Sequence, residues 1–130
     1  MIFFDSSALL KLAHLEDESL VLREWVQGRG EPLTGSELLR TEVIRACRRV
    51  NPGALAEARA VLAVTDLLPL TRELLADAAE LEPSALRSLD AIHLASAVSI
   101  QDDLTAFVAY DRRLLEAARE RGLPVVSPGT

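Results

Sequence analysis

Ile2-Phe3-Phe4-Asp5-Ser6-Ser7-Ala8-Leu9 decides how the rest of the chain is read. A short apolar run ends abruptly at an acid and two serines, and residues suited to a helix follow. That order is a brief buried strand running into a capped helix. The same grammar returns near the other end. Thr105 to Tyr110 is an apolar, extended run; Asp111 follows, and Arg112 to Arg121 reads as a helix stopped by Gly122.

The stretches between keep alternating. Ser19 to Gln27 is a helix closed by Gly28 and Gly30. Glu31 to Thr34 is a short strand, and Ser36 opens a helix to about Val50. Asn51-Pro52 ends it, and Pro52 starts the next, to about Val64. Thr65 to Leu70 is extended, with Pro69 marking an edge or loop. Thr71 to Leu81 is helical, Glu82-Pro83-Ser84 breaks it, and Ser88 caps a helix to about Ile100. Val125 and Val126 form a last strand. Helices alternating with short apolar strands predict an α/β fold, a mostly parallel sheet flanked by helices. With 130 residues, no repeat and no linker, residues 1–130 are expected to make one domain.

Composition narrows the classes. Hydrophobic residues are 49% of the chain, enough for an ordinary core. No apolar run nears the ~18 residues of a membrane span, and no basic segment precedes an apolar one near Met1. The single cysteine, Cys47, has only His14 and His93 as companions and makes no zinc pattern. A cytoplasmic protein without membrane attachment is the expectation. A net charge of −6 argues against a chain that grips nucleic acid by bulk charge. It leaves open a nuclease that meets phosphate through cations held in an acidic pocket.

Four acids stand out. Asp5 and Asp111 each follow a strand, where open parallel sheets bind ligands, although each could simply cap the helix behind it. Asp90 falls in the first turn of the helix capped by Ser88. The plain alternative is a dipole contact, but the apolar run from Ala91 to Ile100 predicts a buried helix whose acid faces something positive. Glu42 lies on the stripe of Leu38, Leu39, Val43 and Ala46, where a core residue belongs; an ion pair with Arg45 or Arg49 is the alternative. Carboxylates gathered without a lysine suit a hard cation, Mg²⁺ or Mn²⁺. The residues alone stop at a hard-cation pocket in an α/β domain.

Motifs go further. Ile2 to Leu9 resembles the opening of PIN-domain proteins. Ser36-Glu37-Leu38-Leu39-Arg40-Thr41-Glu42-Val43-Ile44-Arg45-Ala46 is similar to their second motif. Leu86-Arg87-Ser88-Leu89-Asp90-Ala91-Ile92-His93-Leu94-Ala95 resembles the third motif of VapC-type toxins. Phe107-Val108-Ala109-Tyr110-Asp111-Arg112-Arg113-Leu114 resembles the fourth, with Ala109 where Thr is commoner. The resemblance implies a PIN-like three-layer fold and an Mg²⁺- or Mn²⁺-dependent endoribonuclease. It implies the toxin of a toxin–antitoxin pair, usually dimeric and held inactive by a VapB-type antitoxin, through which the complex could bind operator DNA. On matching positions, Asp5 and Asp90 would be direct metal ligands, Glu42 and Asp111 would complete the acidic cluster, and Ser6 would hydrogen-bond within the site.

Other residues have two readings each. His93, one turn from Asp90, could serve as acid or base; a satisfied core histidine is the favoured reading. Arg87, Arg112 and Arg113 could hold RNA phosphates, or Arg112 and Arg113 could be a solvated first turn. Arg40, Arg45, Arg48 and Arg49 form a candidate RNA rim or a set of surface ion pairs. Leu20, Val21, Leu22, Trp25 and Val26 form an arc wide enough for core and for an antitoxin helix. A receiver-like signalling domain would want paired acids at Asp5 and a lysine at a later strand end, and Lys11, the only lysine, is in the first helix. A haloacid-dehalogenase-like phosphatase would want an acid where Ser7 stands. A PIN fold that binds without cleaving is the remaining alternative, and the presence of all four acids speaks against it.

Overall fold

The computed structural model describes residues 1–130. Its centre is a five-stranded sheet in the order β3-β2-β1-β4-β5. The strands are β1 (Ile2–Phe4), β2 (Leu33–Ser36), β3 (Thr65–Leu68), β4 (Ala106–Val108) and β5 (Val125–Val126). Every pairing is parallel, with Ile2 opposite Leu33 on one side and Ala106 on the other. Parallel strands need crossovers, and helices supply them: α1 (Ser6–Ala13), α2 (Ser19–Arg29), α3 (Leu39–Val50), α4 (Leu55–Ala63), α5 (Arg72–Ala79), α6 (Ser88–Ser99) and α7 (Arg112–Glu120).

Alternate side chains of a strand point to opposite faces. Ile2, Phe4, Ala106 and Val108 therefore enter a core with α1, α2, α3 and α4, where Leu9, Leu22, Leu39 and Val43 are buried. Phe3 and Phe107 enter the opposite core with Leu94 of α6 and Leu114 of α7, their rings stacked 5.4 Å apart. All three residues of β1 are inaccessible to solvent, which is why the strand reads as an unbroken apolar run. α5 adds a smaller cluster, Leu74 and Ala78 against Ala91 and Ala95 of α6.

Three local expectations are corrected. Ser36 ends β2 rather than opening α3, which starts at Leu39; its hydroxyl accepts from the Leu38 amide at 3.1 Å. Arg87, not Ser88, stands at the cap of α6, with no side-chain cap bond. The strand expected over Thr105 to Tyr110 keeps strand pairing only over Ala106–Val108. Gly30 ends α2 as expected, at φ +61°, while Gly28 lies inside the helix.

Candidate active site

The chain runs from β1 to β2 and β3 on one side, then returns to β4 and β5 on the other. The reversal at β1 and β4 leaves a crevice beyond their carboxyl ends. A cavity of about 450 Å³ lies there, and Asp5, Glu42, Asp90 and Asp111 all line it. The structure thus brings together the four acids that the sequence singled out.

Each acid stands at the start of a helix. Asp5 caps α1, accepting the Ala8 amide at 2.9 Å, and Asp111 caps α7, accepting the Leu114 amide at 3.0 Å. Asp90 is in the first turn of α6 and Glu42 in the first turn of α3. Asp5 and Asp111 therefore cap their helices and line the cavity at once. Positive ends of helix dipoles soften the repulsion between the carboxylates. Asp5 is only 4% exposed. Burial pushes its carboxyl up to about 6, against the pull of the Ala8 amide, the His93 ring and the Ser7 hydroxyl.

The partners of the acids are partly new. Ser7, not Ser6, hydrogen-bonds in the site: its hydroxyl lies 3.0 Å from both Asp5 oxygens, whereas Ser6 lines the cavity without a side-chain hydrogen bond. Glu42 does not pair with Arg45 or Arg49. Its carboxylate accepts from His93 Nε2 at 2.6 Å. His93 is 1% exposed, and its Nδ1 is buried with no partner, so the satisfied core histidine is corrected. A buried ring kept half-bonded at the edge of a polar cavity is held there by Glu42 rather than by packing alone. Asp90 faces the positive group its surroundings called for: Arg87 Nη2 lies 3.1 Å from Asp90 and 3.7 Å from Asp111. The charge of Asp90, then its hydrogen bond, raise the Arg87 guanidinium further.

The cavity is not free of lysine. Lys11 lines it, buried, with its ammonium 2.8 Å from Glu16 and 2.9 Å from Glu18 and 4.7 Å over the Tyr110 ring. Burial alone would depress the ammonium; the two glutamates outweigh it and hold it above its ordinary value. Those glutamates already take up its charge, so Lys11 does not neutralise the acids. Arg112 and Arg113 are exposed on the first turn of α7 and do not line the cavity.

No group of three or more His, Cys, Asp or Glu side chains is drawn together to chelate an ion as it stands. The carboxylates are turned to Ser7, His93 and Arg87. The donor set nevertheless fits a hard divalent ion. It is all oxygen, it converges on one cavity, and Asp5 is a carboxylate whose burial makes its charge costly until a cation faces it.

Residues 2–120 match the PIN domain family. Ribonuclease VapC47 of Mycobacterium tuberculosis is 47% identical, with 99% of this chain and 98% of the relative covered. Ribonuclease VapC46 of the same organism is 42% identical, with 98% and 97% covered. The crystal structure of M. tuberculosis VapC20, described as a Sarcin-Ricin loop cleaving toxin, superposes with a TM-score of 0.76 at 18% identity, covering 98% of this chain and all of that one. FitAB bound to a DNA fragment gives 0.70 at 12% identity, covering 100% of this chain and 96% of that one. These two distant structures speak for the fold alone. The chain belongs to the PIN domain family, among its VapC-type ribonucleases. No helix is long and apolar enough to cross a membrane.

Proposed function

We propose that the chain is a metal-dependent endoribonuclease, the toxin of a VapBC-type pair, with residues 1–130 acting as one domain in the cytoplasm. The observation that carries this reading is the convergence of Asp5, Glu42, Asp90 and Asp111, from four separate segments, on one cavity at the reversal point of a parallel sheet. Asp5 and Asp90 would hold Mg²⁺ or Mn²⁺ directly, with Glu42 and Asp111 completing the set, partly through water. Such an ion, when bound, supplies positive charge for the phosphate and a water of lowered pKa.

The chain's own groups do the rest. Ser7 and the Ala8 amide fix both oxygens of Asp5. His93 fixes Glu42. Arg87 is largely exposed beside Asp90 and Asp111 and stands where a phosphate oxygen entering the cavity would meet its guanidinium. Water adds to phosphorus, the bond to one ester oxygen breaks, and the products are a phosphate monoester and a hydroxyl. A VapB-type antitoxin, supported by the VapC relatives, belongs to the proposal, which a homodimer and operator binding through the antitoxin complete.

The deciding experiment is RNA cleavage with and without Mg²⁺ by the wild type, Asp5→Ala and Asp90→Ala. Cleavage by the wild type alone, lost in EDTA, is expected. Equal behaviour of the three proteins would leave a PIN fold that binds without cutting. Co-purification with the product of a short adjacent reading frame tests the antitoxin pairing.

A further inference from the structure

A second groove, of about 490 Å³, opens beside the acid cavity between α1 and α3. Ser6, Ser7, Glu42 and Leu89 line both, so the two form one continuous channel. Along the wall of the second groove stand Arg45 and Arg49, and Arg48 joins them in an adjoining cleft lined by those three arginines alone.

What sets these three apart is that they stand together on one helix beside the channel. Arg29 pairs with Glu31, Arg40 with Glu37 and Arg87 with Asp90; Arg45, Arg48 and Arg49, like several arginines elsewhere on the surface, have no acid on them, and their charges are free to meet an anion in the channel. Arg40 thereby leaves the basic rim that the sequence drew, and the other three remain. Glu42 lies three residues before Arg45 on the same helix and could have neutralised it, but its carboxylate is held on His93. The dipole of α3 favours Arg48 and Arg49 in its last turn; Arg45, mid-helix, gains little from it. Three like charges spaced three and four residues apart repel one another unless an anion lies between them.

Resting on the nuclease reading above, we propose that Arg45, Arg48 and Arg49 form a phosphate-binding rail for single-stranded RNA that leads into the acid cavity. Arg45 and Arg49 lie about 6 Å apart along the helix axis, room for successive phosphates to be met in turn. The channel favours RNA over an acidic peptide, because its far end holds Asp5, Glu42, Asp90 and Asp111, the carboxylates of the proposed RNA-cleaving site.

The test is fluorescence anisotropy with a labelled single-stranded RNA of about ten nucleotides in EDTA, where no cleavage is needed. Arg45→Ala/Arg48→Ala/Arg49→Ala should bind at least ten-fold more weakly than the wild type. Its plot of log affinity against log salt should flatten by about 2, at roughly 0.7 per phosphate contact. Arg119→Ala/Arg121→Ala, on and just beyond α7, should lose far less on both counts. With Mg²⁺, the triple variant should raise KM for a long RNA and leave kcat close to wild type. All three residues are exposed, so an unchanged melting temperature is expected and verifies folding. An RNA affinity and salt slope equal to wild type in the triple variant would overturn the rail, whether or not an acidic peptide then binds it more weakly. So would an equal loss in the α7 control. Failure of the wild type to cut RNA would strike the nuclease reading and leave the binding result standing.

Discussion

Asp5 and His93 show how single residues trade stability for a site. Between about pH 4 and pH 6 the folded protein keeps a proton on Asp5 that the unfolded chain has released. Stability without divalent ions should therefore fall as pH rises through that window, by at most about 3 kcal/mol from this group. Asparagine caps a helix as well as aspartate does. Urea unfolding in EDTA should find Asp5→Asn close to wild type near pH 4 and more stable near pH 8. A wild-type curve lying above the variant at pH 8 would contradict the burial argument. His93 holds Glu42 through Nε2, and glutamine can place a donor near the same point. His93→Gln should keep more cleavage activity than His93→Leu, which should lose roughly 10- to 100-fold, the usual cost of removing a group that orients a ligand. Mn²⁺ affinity by calorimetry should follow the same order; equal affinities would mean that His93 only fills space.

Helix starts build the site, and they also explain what the sequence could and could not show. Asp111 caps α7, so Asp111→Ala should cost about 1 kcal/mol of stability along with activity. Asp111→Asn should keep the stability and lose the activity, and thermal melting beside a cleavage assay separates the two roles. β2 carries a tighter constraint. A methyl group on Gly35 would collide with the Leu39 side chain and come within 3.0 Å of the Phe4 carbonyl oxygen. Gly35→Ala should destabilise by about 1–3 kcal/mol, measured by urea unfolding, because backbone on one side cannot yield. Strands, helices and the four acids were legible because each announces itself locally, by an apolar run, a cap or a break in periodicity. The His93–Glu42 bond was not, since it joins residues 51 positions apart and depends on how α6 faces α3. Ser7 was missed for Ser6 because neighbouring residues at a helix start point in directions that only the backbone fixes. Lys11 was placed on α1 correctly, but nothing local tells that this face of α1 turns to the cavity.

The whole molecule carries a charge of −6 and buries part of that charge around one cavity. Whatever binds only the folded state raises its stability, by about 2.7 kcal/mol at a hundred times the dissociation constant. Mg²⁺ or Mn²⁺ should therefore raise the melting temperature of the wild type and leave that of an Asp5→Ala/Asp90→Ala variant almost unmoved. An equal rise in both would point to general screening of the acidic surface. The sheet order has a further consequence. β1 pairs with β4, so Asp5 near the beginning of the chain needs residues 106–111 beside it before the cavity exists. A nascent chain on the ribosome has long since made Asp5, Glu42 and Asp90 when β4 is still unwritten. On the proposed reading, cutting power arrives only once residues 106–111 have been made, and a message broken before the codon for Asp111 yields a fragment without the cavity.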